Sequence, residues 1–210
     1  MLDVLVTAGA TRNPIDAMRF LSARSSGRTS VAIARHLAGV GCRVTLMGSP
    51  EALLRGADLP GIEFGDTHDL MAKMKAWVLA HPGAAVVHAC AVGDYELASP
   101  DKGKISSEMD ELVLRLRPTP KIADHVKVWD PSAVLVTFKA APPETDAEEL
   151  IRVCRAQLAR THSDLVLGNV IGALAVTTTL VDEDGSEAFD DRDAALRTLA
   201  ARVRAAATSP

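Results

Sequence analysis

Aromatic residues are scarce in this chain. One Tyr, four Phe and two Trp make up 3% of its 210 residues. Its core must therefore be filled by Val, Leu, Ala and Ile, and a hydrophobic content of 48% is enough for a sizeable one. Aliphatic runs of this kind suit a parallel sheet whose strands are buried on both faces. Cysteine is sparse as well. Cys42, Cys90 and Cys154 are odd in number and far apart, which argues against a disulfide framework and for a reducing, cytoplasmic setting. No C-x-x-C pair or His/Cys cluster suggests a metal site. No apolar run approaches the roughly 18 residues needed to span a bilayer, so no membrane association is expected. The first residues lead straight into a strand, and no signal peptide is read there. Acidic residues outnumber basic ones by 27 to 23, for a net charge of −4, and no basic stripe carries interleaved aromatics. Nucleic acid is therefore not an expected partner. The common glycine fingerprints are also missing: there is no G-x-G-x-x-G and no P-loop lysine motif.

What is present is concentrated in residues 3–28, DVLVTAGATRNPIDAMRFLSARSSGR. An apolar run, Val4-Leu5-Val6, feeds a turn-rich loop, Thr7-Ala8-Gly9-Ala10-Thr11. Ser25-Ser26-Gly27-Arg28 then precedes a helical pattern. A buried strand that enters a Gly/Ser-rich turn and then a helix is a common way to hold phosphate. The turn exposes backbone N–H groups, and the helix start adds partial positive charge. By itself this stretch reads as an anion or nucleotide site on an α/β fold, or as an ordinary strand–helix connection.

Residues 27–38 show apolar Val31, Ala34, Leu37 and Ala38 at helical spacing. Residues 43–47 form a second strand, which completes a right-handed βαβ unit. A short strand is expected at 61–64, and a helix capped by Thr67 runs to 80. The run AAVVHACAV, residues 84–92, reads as one central buried strand, with His88 as a satisfied core histidine. Asp94 follows where ligands bind in open α/β sheets. Residues 96–110 are polar and aperiodic, a loop with Lys102 and Lys104. Residues 111–117 alternate strictly and predict a half-exposed strand. A short helix at 122–129, a buried strand at 133–138, a helix capped by Thr145 or Asp146 and running to 160, and a strand at 164–169 come next. A hairpin is expected from 174–181 and the turn at 182–185, then a helix over 191–206 and a fraying tail at 208–210. The expected architecture is α/β and Rossmann-like, three layers around a mostly parallel central sheet, with a small β-hairpin extension and a single domain over 1–210.

These motifs resemble the phosphopantothenate–cysteine ligase family. Its N-terminal signature is T-A-G-x-T-x-E-P-I-D, then R-F/Y-I-S-N-x-S-S-G-K. The match is Thr7-Ala8-Gly9, Thr11, Pro14-Ile15-Asp16, Arg19-Phe20, Ser22 and Ser25-Ser26-Gly27. Asn13 replaces the family's acid, and Ala23 replaces an Asn that is catalytic in the family. Cys90-Ala91-Val92-Gly93-Asp94-Tyr95 resembles A-A-V-A-D-Y, which lines the nucleotide site. Lys102-Gly103-Lys104 resembles K-x-K-K, with Ile105 in the last place. Thr119-Pro120-Lys121-Ile122 keeps the Pro and Ile of N-P-D-I. Phe138-Lys139-Ala140-Ala141 resembles F-K-A-E, with Ala141 for Glu.

The resemblance implies a homodimeric ligase of coenzyme A biosynthesis. It would activate a phosphopantothenate carboxylate with CTP or ATP and Mg2+, then form an amide with cysteine. No FMN is expected. It also implies site roles. Gly9, Ser25, Ser26 and Gly27 would hold phosphate. Cys90, Ala91, Asp94 and Phe138 would hold the nucleoside. Lys102, with Lys104 as its substitute, would stabilise the phosphoryl transition state. A nucleotide-binding paralogue or regulatory subunit is the alternative that Ala23 favours. A weaker one is an NAD(P)-binding Rossmann protein, which lacks its glycine fingerprint here.

Overall fold

The structure, a computed structural model, describes residues 1–101, 103–108, 110–172 and 178–206. In chain order it consists of β1 (Asp3–Ala8), β2 (Asn13–Pro14), β3 (Phe20–Leu21), α1 (Arg28–Gly39), β4 (Arg43–Gly48), α2 (Pro50–Arg55), β5 (Gly61–Glu63), α3 (Thr67–Ala80) and β6 (Ala85–His88). The second half holds β7 (Tyr95–Leu97), β8 (Leu116–Pro118), α4 (Ala123–Trp129), β9 (Val134–Ala141), α5 (Ala147–Thr161), β10 (Leu165–Val170), β11 (Thr178–Val181), β12 (Ser186–Phe189) and α6 (Arg192–Ala206).

Eight strands form one sheet in the order β12-β11-β10-β9-β6-β1-β4-β5. The six strands from β10 to β5 are parallel, and β11 and β12 close one edge as an antiparallel hairpin. Read by sequence, the parallel strands follow the Rossmann order 3-2-1-4-5-6, so chain direction across the sheet reverses between β1 and β6. Helices cover both faces. Val31, Ile33, Ala34 and Leu37 of α1 pack with Leu196, Leu199 and Val203 of α6 against Val4, Val6 and Val87. On the other face Leu70, Met74 and Trp77 of α3 and Val126 of α4 meet Leu5, Val86 and Leu135. Leu150 and Cys154 of α5 extend that layer over Val166 and Val170. The aliphatic strands do alternate: they divide their side chains between two covered faces, and both halves are apolar because both are buried.

Several elements differ from the sequence reading. Helix α2 was unexpected. Its signals are Ser49 ahead of Pro50 at the first helical position and Glu51 in the first turn. Asp66, and not Thr67, caps α3, accepting from Asp69 N–H at 2.8 Å, while Thr67 is buried behind it. Asp146 caps α5 by accepting from Glu149 N–H at 2.8 Å. The ladder of β6 stops at His88, and residues 89–92 turn across the sheet end, where Ala91 forms an isolated bridge with Ala10 of the β1 loop. Of the alternating residues 111–117, only Leu116 and Arg117 enter a strand, β8. β8 pairs with β7 in a separate two-stranded ribbon, and β7 lies partly within what reads as loop. Alternation there marks no sheet face: β8 is exposed along its length, and the buried residues of the ribbon, Glu96 and Leu97, belong to β7. The β2–β3 hairpin was also unread. The start of the 174–181 strand and the tail at 208–210 lie outside the described residues. Among the described residues no helix is long and apolar enough to cross a membrane.

Candidate functional site

A cavity of about 980 Å3 lies at the amino ends of the parallel strands, between Val134, Asp164 and the 182–185 turn. Gly9, Gly27 and Ala91 of the sequence-predicted residues meet at the opposite end. Parallel sheets direct all their strand-end loops to one side, and ligands bind at the point where chain direction reverses. Here that point is bounded by the loops after β1 and β6.

Those two loops are joined by backbone bonds. Ala91 N–H donates to Gly9 O at 2.8 Å, and Thr11 N–H donates to Ala91 O at 3.1 Å. Thr11 Oγ1 accepts from Gly93 N–H at 2.9 Å. Asn13 completes the junction. Its amide donates to Tyr95 O at 2.9 Å, and its Oδ1 accepts from Thr67 N–H at 3.0 Å and Thr67 Oγ1 at 2.9 Å. A carboxylate at this buried position could not donate to the Tyr95 carbonyl. The residue that departs from the family signature therefore fits its own surroundings.

Gly9 and Gly27 carry the close approach. Both have positive φ, +84° and +72°. A Cβ on Gly27 would lie 3.2 Å from Gly9 N and 2.7 Å from Ala52 Cβ, so the strand end, the start of α1 and helix α2 meet without room for side chains. Gly27 is the N-cap of α1 in left-handed conformation. No side chain caps that helix, and its first turn holds no acid. By contrast α3 and α5 are capped by aspartates. The first N–H groups of α1 are thus left for solvent or an anion. Ser25 and Ser26 are exposed ahead of them, and Arg55 Nε reaches Ser26 O at 3.3 Å. Arg12, paired with Glu51 and standing 4.9 Å over the Phe20 ring, is a basic group at this end that no motif marked.

The other described candidates differ in their surroundings. Cys90 and Ala91 are half-buried in the joined loops, and burial pushes the Cys90 thiol up to about 12, so it is no nucleophile. Asp94 is exposed and pairs with Lys121. Phe138 is half-buried in β9 and packs on the cluster beneath α1 and α6. Lys104 is exposed, and Lys102 lies outside the described residues. Ala141 is buried with Leu150, Val166 and Val170, a pocket with no place for the family's carboxylate. Ala23 is exposed. Among the described residues no group of three His, Cys, Asp or Glu side chains could hold a metal ion.

His88 stands beside the junction, opposite Thr7 in the ladder. Thr7 Oγ1 accepts from Cys90 N–H at 3.1 Å and shares a second hydrogen bond, also of 3.1 Å, with His88 Nδ1. Burial lowers the pKa of this ring to about 4, so it is neutral near pH 7. In the unfolded chain this histidine protonates near its ordinary 6.5. As pH falls from about 6.5 to about 4 the unfolded state gains a proton that the folded state refuses, and stability drops over that window. Denaturation midpoints measured at pH 7 and pH 4.5 are expected to fall further for wild type than for His88→Asn. Equal falls would contradict a buried neutral ring.

The family model for the DNA/pantothenate metabolism flavoprotein C-terminal domain matches residues 1–200. The coenzyme A biosynthesis bifunctional protein CoaBC of Thermococcus kodakarensis is 38% identical over 170 residues, 81% of this chain and 41% of that protein. The CoaBC of Mycolicibacterium smegmatis is 32% identical over 177 residues, 80% of this chain and 42% of the other. This chain thus spans about two fifths of the length of these curated relatives. The crystal structure of the DNA/pantothenate metabolism flavoprotein from Streptococcus pneumoniae superposes with a TM-score of 0.87 at 25% identity, covering 98% of this chain and 99% of that one.

Proposed function

The chain belongs to the DNA/pantothenate metabolism flavoprotein C-terminal domain family, and on that premise we propose that residues 1–210 form one ligase domain joining a phosphopantothenate carboxylate to cysteine at the expense of CTP or ATP. In the first step a carboxylate oxygen attacks the α-phosphorus, and pyrophosphate leaves. In the second the cysteine amine attacks the acyl carbon, an amide bond forms, and the nucleoside monophosphate leaves with the former carboxylate oxygen. A carboxylate is a poor acyl donor and the nucleotide is a good leaving group, so the protein's task is positioning and charge stabilisation.

The observation that carries the reading is the uncapped start of α1, closed onto the β1 loop through Gly9 and Gly27 at the point where sheet direction reverses. Gly9, Ser25, Ser26 and Gly27 are assigned to phosphate. Cys90, Ala91, Asp94 and Phe138 are assigned to the nucleoside, with Asp94 leaving Lys121 to do so. Lys102 and Lys104 are assigned to the transition state. Mg2+ is read as arriving with the nucleotide. The nearby carboxylates Glu51 and Asp94 are already paired with Arg12 and Lys121, and this cation is commonly held by substrate phosphates and water with one or two carboxylates. The proposed assembly is a cytoplasmic homodimer.

A second reading has its own observation. Ala23, at the place of the family's catalytic Asn, offers no polar side chain, which favours a nucleotide-binding paralogue. Pyrophosphate release with CTP or ATP, Mg2+ and 4′-phosphopantothenate, with and without cysteine, separates the two. Amide product is expected for a ligase. A stalled acyl-nucleotide would limit the protein to the first step, and no turnover with either nucleotide would overturn the ligase reading.

A further inference from the structure

The turn between β2 and β3 is built around one carboxylate. The Asp16 side chain is entirely buried, and its two oxygens serve different parts of the chain. Oδ1 accepts from Met18 N–H and Arg19 N–H, both at 2.8 Å, which closes the turn locally. Oδ2 accepts from Ile105 N–H at 3.1 Å, 89 residues away in sequence. Three more bonds join the same two segments. Asp101 N–H donates to Ile15 O at 3.1 Å, and Ala17 N–H donates to Gly103 O at 3.0 Å. The Arg19 guanidinium donates to Ile105 O at 2.9 Å and holds its Nε 3.6 Å from Asp16 Oδ2.

A turn-forming aspartate needs only Oδ1. The second oxygen is left over by that account, and it is spent on residue 105. Residues 101, 103 and 105 are each fastened to the turn, so exposed Lys104 is held on both sides. Three N–H bonds, led by that of Met18, keep the carboxyl ionised below its usual range.

We propose that Asp16 is a positioning residue, whose Oδ2 fastens the 103–105 segment to the β2–β3 turn and so sets where Lys104 stands beside the joined loops. What Lys104 does there rests on the ligase reading; the fastening does not. A buried carboxylate oxygen with its N–H partner removed would be costly, so turn and segment hold each other in place.

Asp16→Asn separates the two oxygens. The amide oxygen still accepts from Met18 and Arg19, whereas the new NH2 faces the Ile105 N–H as donor against donor. Amide hydrogen exchange on the full chain is expected to quicken roughly tenfold at Ile105, Ala17 and Asp101 while Met18 and Arg19 stay protected. Unchanged exchange at Ile105, or equal release of all five amides, would overturn the proposal and leave Asp16 a plain turn residue. Arg19→Ala, which removes the strut to Ile105 O and the cation beside Asp16 Oδ2, repeats the test if the first variant does not fold; there too an unchanged Ile105 overturns it. In pyrophosphate release, Asp16→Asn should lower kcat roughly 10–100-fold with KM for the nucleotide little changed, the signature of a misplaced group. Loosened amides with an unaltered kcat would overturn the positioning role. Wild-type protein that releases no pyrophosphate would instead defeat the ligase reading, and the exchange pattern would still decide the fastening.

Discussion

Gly9→Ala is expected to destabilise the protein by about 2–5 kcal/mol. Two effects add. The residue sits at φ +84°, where an L side chain costs roughly 1–2 kcal/mol. Its new Cβ would also run into Ser49 Oγ and lie 2.9 Å from Ser49 Cβ and 3.2 Å from Ala52 Cβ. The start of α2 cannot yield freely, because Ser49 N–H is bonded to Ala8 O at 3.1 Å. Overpacking of this kind costs about 1–3 kcal/mol more. Gly41→Ala is the control. It has the same φ of +84° but open space around it, so it should lose only the conformational part. Urea denaturation of both variants isolates the steric share as the difference between them. Equal losses would mean that α2 does not press on the β1 loop as described. Gly27→Ala meets the same Ala52, so the double variant should not be additive.

Lys102→Ala is expected to reduce pyrophosphate release roughly 10²–10³-fold in kcat, the usual effect of losing one donor that meets developing charge. Lys104→Ala should cost less if Lys102 is the main group, and as much or more if Lys104 has taken its place. Steady-state kinetics with varied nucleotide decides between transition-state and ground-state roles. A loss confined to KM would show that the lysines bind nucleotide equally in both states and would contradict the assignment. Lys104 is exposed, so no loss of burial confuses its result.

Much of the architecture was legible from periodicity. Residues 27–38, 43–47, 133–138 and 164–169 have patterns that only a helix or a buried strand satisfies, and they appear as α1, β4, β9 and β10 with ends moved by no more than three residues. The failures share a cause. In 84–92 an apolar run continues past the ladder, since residues 89–92 stay half-buried while crossing the strand ends. In 111–117 alternation appears without a covering layer. Apolarity reports burial, and burial is not the same as membership in a sheet. Helix α2 spans only Pro50–Arg55, too short for periodicity to register, although its N-terminal signals were present.

The candidate site divides in the same way. Gly9, Gly27 and the Ser25-Ser26 pair were readable because glycine and serine before a helix have a local physical meaning. By itself the sequence determined a two-faced aliphatic sheet and a βαβ opening, since each depends on residues near one another in the chain. Tertiary structure alone decided that Asn13 must donate to Tyr95, that Ala141 lies in the core, that His88 is neutral against Thr7, and that Asp16 holds residue 105. Each of those depends on a partner 25 to 89 residues distant, or on a packed layer, and hydrogen-bond geometry between such partners exists only once the chain has brought them together.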